Sequence, residues 1–169
     1  MIRAVNRSEI PACAALIRES FLTVARDFGF TRDNAPYFTA FATDDDMLYQ
    51  HFDDESRKMF AFLFEDKIVG YYSLLLLDNN VCELNHLCVS PACRHRGIGE
   101  QLLEHGAALA QSLGMSKIEI GIVEENVRLR QWYESHGFTH VKTEKFDFFP
   151  FTCGYMEYSL QQDTKQDTE

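Results

Sequence analysis

Two hydrophobic periods alternate along the chain. Ile2-Arg3-Ala4-Val5 reads as a short first strand, and Ser8 ahead of Glu9, Ile10 and Pro11 predicts a helix start, with proline in the first turn where its missing N–H costs nothing. That helix is expected to run to about Glu19. From Phe21 to Arg57 the aromatics, the single proline and the acidic runs sustain no period, which predicts one or two short helices among loops and a region for substrate contacts. Met59–Phe64 and Ile68–Leu77 are aromatic and aliphatic runs separated by Glu65-Asp66-Lys67, a hairpin pattern. Asp78-Asn79-Asn80 forms a second turn into a strand over Val81–Val89.

The second half changes period. From Gly97 to Leu113 apolar residues fall at Ile98, Leu102, Leu109 and Leu113, with Gly106 on the same side and Gly114 beyond, so a helix with a left-handed stop is expected. Ile118–Ile122 is the next strand. Asn126 opens a shorter helix carrying Leu129, Trp132, Tyr133 and His136, closed by Gly137. Phe138–Phe146 and Tyr155–Leu160 complete the strands. Strand, helix and strand across 81–122 favour parallel pairing, whereas the earlier hairpins are antiparallel. The fold class is therefore α/β (α+β): one domain over residues 1–160, with a central mixed β-sheet flanked by helices. A polar, frayed tail is expected over 161–169.

Composition narrows the picture. A chain of 169 residues with 46% hydrophobic and 25% charged residues suits one soluble domain with a real core. Its apolar runs are too short to span a bilayer, and the N-terminus lacks the pattern of a secretory signal, so a cytoplasmic protein with reduced cysteines is expected. The five cysteines form no CxxC pair, and Cys82, His86, Cys88, Cys93 and His95 lack the spacing of a structural zinc site; no metal is expected. A net charge of −10 argues against nucleic acid and suits an amine or cationic partner.

The chemistry centres on Arg94-His95-Arg96-Gly97-Ile98-Gly99, between a strand and a helix. Two glycines let the backbone approach a ligand, helix N-termini bind anions, and Arg94 and Arg96 can add charge-assisted hydrogen bonds to a phosphate. The stretch from Leu87 through Val89-Ser90-Pro91 to Gly99 and Leu102-Leu103 resembles the coenzyme-binding motif of the GNAT superfamily of N-acetyltransferases. Its core is matched by Arg94-x-x-Gly97-x-Gly99. Asn126 to Phe138, with Tyr133 seven residues after the asparagine and Gly137-Phe138 at the end, resembles the same family's later helix. Trp132 and Arg130 depart from the usual pattern there. The resemblance implies a splayed sheet, acetyl-CoA as co-substrate, a coenzyme pyrophosphate on Arg94–Gly99, and a pantetheine arm paired with the backbone of Leu87, Cys88 and Val89. Asn126 either caps its helix, contacts the coenzyme, or does both.

Acetyl transfer to an amine needs a base for the amine and a proton for the departing thiolate. Strict alternation along Val81–Val89 puts Glu83 and Asn85 on one face with Leu87, so Glu83 can act as the base, directly or through water, and Asn85 can orient water or acceptor. Glu83 is equally readable as a solvated carboxylate. His86 becomes the rival base if a bulge reverses the facing. Tyr133 is the expected general acid, against its reading as a packed helix residue. Cys88 and Cys93 carry no signature of an activated thiolate, which favours direct transfer. Phe146–Phe151 forms one wall of an acceptor pocket, or else a hydrophobic edge or homodimer contact. The competing function is a non-catalytic acyl-CoA-binding or sensing module.

Overall fold

A computed structural model describes residues 1–161. Strand β1 covers Ile2–Ala4, followed by helix α1 (Ile10–Phe28), α2 (Thr39–Ala42) and α3 (Asp45–Asp53). Strands β2 (Arg57–Phe64), β3 (Lys67–Leu76) and β4 (Val81–Val89) come next, then α4 (Ile98–Ser112), β5 (Lys117–Val123), α5 (Val127–Ser135), β6 (Thr139–Lys145) and β7 (Thr152–Ser159). The sheet order is β1-β2-β3-β4-β5-β7-β6, with β4 and β5 parallel and the other neighbours antiparallel. The mixed sheet expected from the sequence is thus present; the expected tail lies outside the described residues beyond Gln161.

Local chemistry explains the two tight turns. Glu65 and Asp66 adopt φ of 48° and 63°, and Asn79 and Asn80 adopt 61° and 58°. Positive φ at two consecutive positions matches the right-handed twist of the flanking strands, and Asp and Asn tolerate it better than most residues. Helix α1 runs nine residues past its expected end, from Glu19 to Phe28. Its second half is apolar on one side, where Ala25 and Phe21 join Phe30, Phe38 and Phe151 in a core of their own. Gly29, at φ 69°, then stops the helix. Strand β7 likewise starts earlier than expected, because Cys153 and Gly154 pair with β5.

Helices cover both faces of the sheet. On one face α4 packs on β3 and β4, and Leu102 and Ile98 meet Tyr72, Leu74, Leu84 and Ile120. The close approach depends on Gly70, where a Cβ would lie 2.8 Å from Leu102 Cδ1. On the other face α1 and α3 cover Ala61, Tyr71 and Cys88. Cys82 and Cys88 are therefore buried in different cores on opposite faces of β4, so the cysteine and histidine residues around them do not converge.

Candidate active site

The register of β4 creates the site. Only Val81–Glu83 pair with β5, opposite Lys117–Glu119, and beyond them the two strands part. A cleft of about 580 Å³ opens there. It is lined by His86–Val89 of β4, the Arg94–Gly99 loop except Arg96, Asn126, Trp132 and Tyr133 on the α5 side, and Ser20, Phe21 and Thr23 of α1.

At one end lies the loop. Gly97 caps α4 with φ 75°, a left-handed conformation that L side chains rarely adopt, and His95 before it has φ 62°. Among the described residues no backbone N–H from His95 to Gly99 has a protein acceptor. Five orphan donors and the positive end of the α4 dipole meet here, the arrangement that helix N-termini use to bind anions. A Cβ on Gly99 would make ordinary van der Waals contact with Trp132 at 3.7 Å and Val89 at 3.8 Å, whereas one on Gly97 would meet nothing within 4 Å.

The two arginines that could add charge-assisted hydrogen bonds to a phosphate stand differently. The Arg94 guanidinium donates to Val89 O (3.2 Å), Thr23 Oγ1 (3.0 Å) and Ser20 O (3.1 Å), tying the loop to the unexpectedly long α1. The side chain is engaged with protein oxygens because that helix passes beside it. Arg96 is exposed and lies outside the cleft lining.

Strand β4 supplies a free edge. Cys88 lies opposite Tyr71, and Ser90 N donates to Val69 O at 2.7 Å, so antiparallel alternation turns the polar backbone groups of Leu87 and Val89 toward the edge that β5 has left. Val89 O already accepts Ser20 Oγ and Arg94 Nε. The remaining groups are open to an extended ligand in the manner of an added strand.

The expected alternation fails at one point. Tyr71 pairs with Cys88 but Ser73 pairs with Asn85, so His86 and Leu87 together oppose Tyr72 in a β-bulge, with His86 at φ 55°. The extra residue reverses the facing: Leu87 packs in the α4 core with Cys82 and Leu84, and does not share a face with Glu83 and Asn85. His86 joins the cleft lining, and its ring stacks on His51 with centroids 6.1 Å apart. Burial, then His51 and the Arg57 charge, push the His86 imidazole down to about 4, so it is neutral at pH 7.

Glu83 and Asn85 line an adjoining cleft of about 360 Å³ with Glu119, Tyr155 and Glu157. Ile120 and Gly121 belong to both clefts. Asn85 Nδ2 donates to Glu83 Oε1 at 2.6 Å, and Arg57 Nη1 donates to Asn85 Oδ1 at 2.9 Å and to Ser73 Oγ at 3.0 Å. No sequence signal marked Arg57, which falls at the end of the stretch without a period.

Tyr133 is buried at 6% exposure in the first cleft, its ring edge-on to Trp132 and Phe138 at 5.0 and 5.2 Å. Burial, with a smaller contribution from Cys88, raises its phenol well above the ordinary tyrosine range, so it keeps its proton. Burial likewise pushes the Cys88 thiol up to about 12. Asn126 caps α5 by accepting from Leu129 N at 3.3 Å and also lines the cleft. Trp132 packs beside Gly99, and Arg130 pairs with Glu124 and Glu134. The Phe146–Phe151 loop meets the segment after α1: Phe149 stacks on Phe151 (4.6 Å), Phe151 lies 4.9 Å from Phe30, and Phe148 is edge-on to Tyr37.

Comparison with known proteins agrees with this geometry. The sequence model of the acetyltransferase (GNAT) family matches residues 23–138. A streptothricin acetyltransferase of Escherichia coli is 28% identical over 127 residues, covering 73% of this chain and 70% of that protein. The N-acetyltransferase YjgM of Escherichia coli strain K12 is 24% identical over 83% of each chain. Among solved structures, the PaiA N-acetyltransferase of Thermoplasma acidophilum in complex with coenzyme A superposes with a TM-score of 0.70 at 17% identity, covering 94% of this chain and 98% of that one. The splay of the mixed sheet and the donor-rich helix start beside it both lie within the stretch matched by the family model, and that match makes this chain a member of the acetyltransferase (GNAT) family.

Proposed function

We propose that the protein transfers the acetyl group of acetyl-CoA directly to a primary amine, with the coenzyme pyrophosphate on the His95–Gly99 backbone and the pantetheine arm along Leu87–Val89. In this reading Glu83 takes a proton from the amine, directly or through water, as the amine nitrogen bonds to the acetyl carbon. The C–S bond then breaks, and Tyr133 Oη gives its proton to the departing sulfur. One observation carries the reading: the cleft holding the anion cradle and Tyr133 shares the wall Ile120–Gly121 with the cleft holding Glu83. A donor in the first cleft and a base in the second would meet across that shared wall. A Cys88 thiol held near 12 is a poor nucleophile at neutral pH, which favours direct transfer over an acetyl-enzyme.

The test is thiol release from acetyl-CoA over a panel of amines: n-propylamine, 1,4-diaminobutane, alanine amide and a short peptide with a free N-terminus. Turnover of at least one is expected. Glu83→Gln should lower the rate by about 10²- to 10⁴-fold near pH 7, with relief at higher pH as the free amine deprotonates unaided, and with coenzyme affinity unchanged. Tight coenzyme binding without turnover of any amine would favour a non-catalytic acyl-CoA-binding module instead.

A further inference from the structure

Glu83 does not orient itself. The registers of β2, β3 and β4 set Arg57, Leu75 and Glu83 opposite one another in one row, and Met59, Ser73 and Asn85 in the next row on the same face. Hydrogen bonds connect the rows in a fixed order: Arg57 Nη1 to Ser73 Oγ and Asn85 Oδ1, then Asn85 Nδ2 to Glu83 Oε1. The order follows from chemistry. A guanidinium only donates, so Asn85 must turn its carbonyl to Arg57, and its NH2 is left for the carboxylate. The reversed amide would set NH2 against guanidinium and oxygen against carboxylate. Both contacts would repel.

We infer that Arg57 is a positioning residue for the transfer reaction: it fixes the Asn85 amide, and through it holds the Glu83 carboxylate toward the acceptor cleft. The inference rests on the reading of Glu83 as the base. Burial makes the arrangement stiff. Ser73 is fully buried, and Arg57 Nε is shielded from solvent, as are the Nδ1 atoms of His51 and His86 nearby. Water is therefore poorly placed to take over the Arg57 contact.

A mutant cycle tests this, using acetyl-CoA and the panel amine with the highest wild-type rate. Arg57→Met keeps the aliphatic stem and removes the donor. It should lower kcat by roughly 10- to 100-fold, the range of one hydrogen bond to a charged group, with the coenzyme Kd unchanged. Arg57→Lys, which restores a cationic donor, should recover much of that loss. In a Glu83→Gln background, Arg57→Met should cost less than about 2-fold more, because the group it positions is already gone. A merely structural role would give the same factor in both backgrounds, and that result would overturn the inference. If Arg57→Met fails to fold, Arg57→Gln in the same cycle decides the question by the same criterion. A Glu83→Gln enzyme with wild-type rates would instead remove the base reading, and is recognised from that single variant.

Discussion

Tyr133 and Cys88 face the same cleft, and burial raises both of their proton affinities, yet the consequence differs with the chemistry of each group. A thiol that keeps its proton is disabled as a nucleophile, whereas a phenol that keeps its proton is available to donate it. Tyr133→Phe deletes one hydroxyl and keeps the ring that packs on Trp132 and Phe138, so thermal stability should stay near wild type. Single-turnover rates should fall by about 10²- to 10⁴-fold while acetyl-CoA affinity is retained. Wild-type chemistry in that measurement would return Tyr133 to a packing role.

At the scale of the element, strand β4 does three things along nine residues. Its start binds β5, its bulge turns His86 into the cleft, and its end offers a free edge. The bulge sets a neutral imidazole against the His51 ring, and this has a consequence for stability. The His86 folded value is near 4, below the ordinary 6.5, so the unfolded chain takes up a proton that the folded one refuses. The contribution is complete above pH 6.5 and is lost as pH falls toward 4, at a slope of about 1.4 kcal/mol per pH unit for this one group. Urea unfolding of wild type and His86→Gln should give a constant stability difference above pH 7. Below 6.5 the wild type should lose stability faster, and parallel curves down to pH 4.5 would contradict the buried neutral state.

At the scale of the molecule, the β1–β4 part and the β5–β7 part share, among the described residues, only the short parallel ladder at Val81–Glu83 within the sheet. A ligand lying in the splay with its phosphates on α4 and its arm on β4 would bridge the two parts and bind the folded state alone. At a hundredfold excess over Kd, acetyl-CoA should add about 2.7 kcal/mol, or roughly 5–10 °C in Tm for a chain of this size. Gly99→Glu puts bulk and negative charge over the orphan N–H groups, while the nearest protein atoms leave room for the first carbon at 3.7 Å. That variant should fold and lose the coenzyme-dependent shift. A full shift in the folded variant would remove the cradle from the reading.

How much of this could be read beforehand follows from the range of the interactions involved. Hydrophobic periods, two-residue turns rich in Asp and Asn, and Gly97 and Gly99 before an amphipathic run act within a few residues, and from them the sequence determined the strand and helix order and the mixed sheet, and pointed to the Arg94–Gly99 loop as the candidate cradle. Neighbours distant in the chain decided the rest. Helix α1 is long because Phe30, Phe38 and Phe151 cover its second half, and Arg94 turns to that helix because it passes there. The facing of β4 changes because His86 and Leu87 together oppose one tyrosine of β3, a register that alternation within β4 cannot express. Arg57 stands beside Asn85 through two strand pairings that bring residues 28 apart within 2.9 Å, and no pattern local to either residue encodes that meeting.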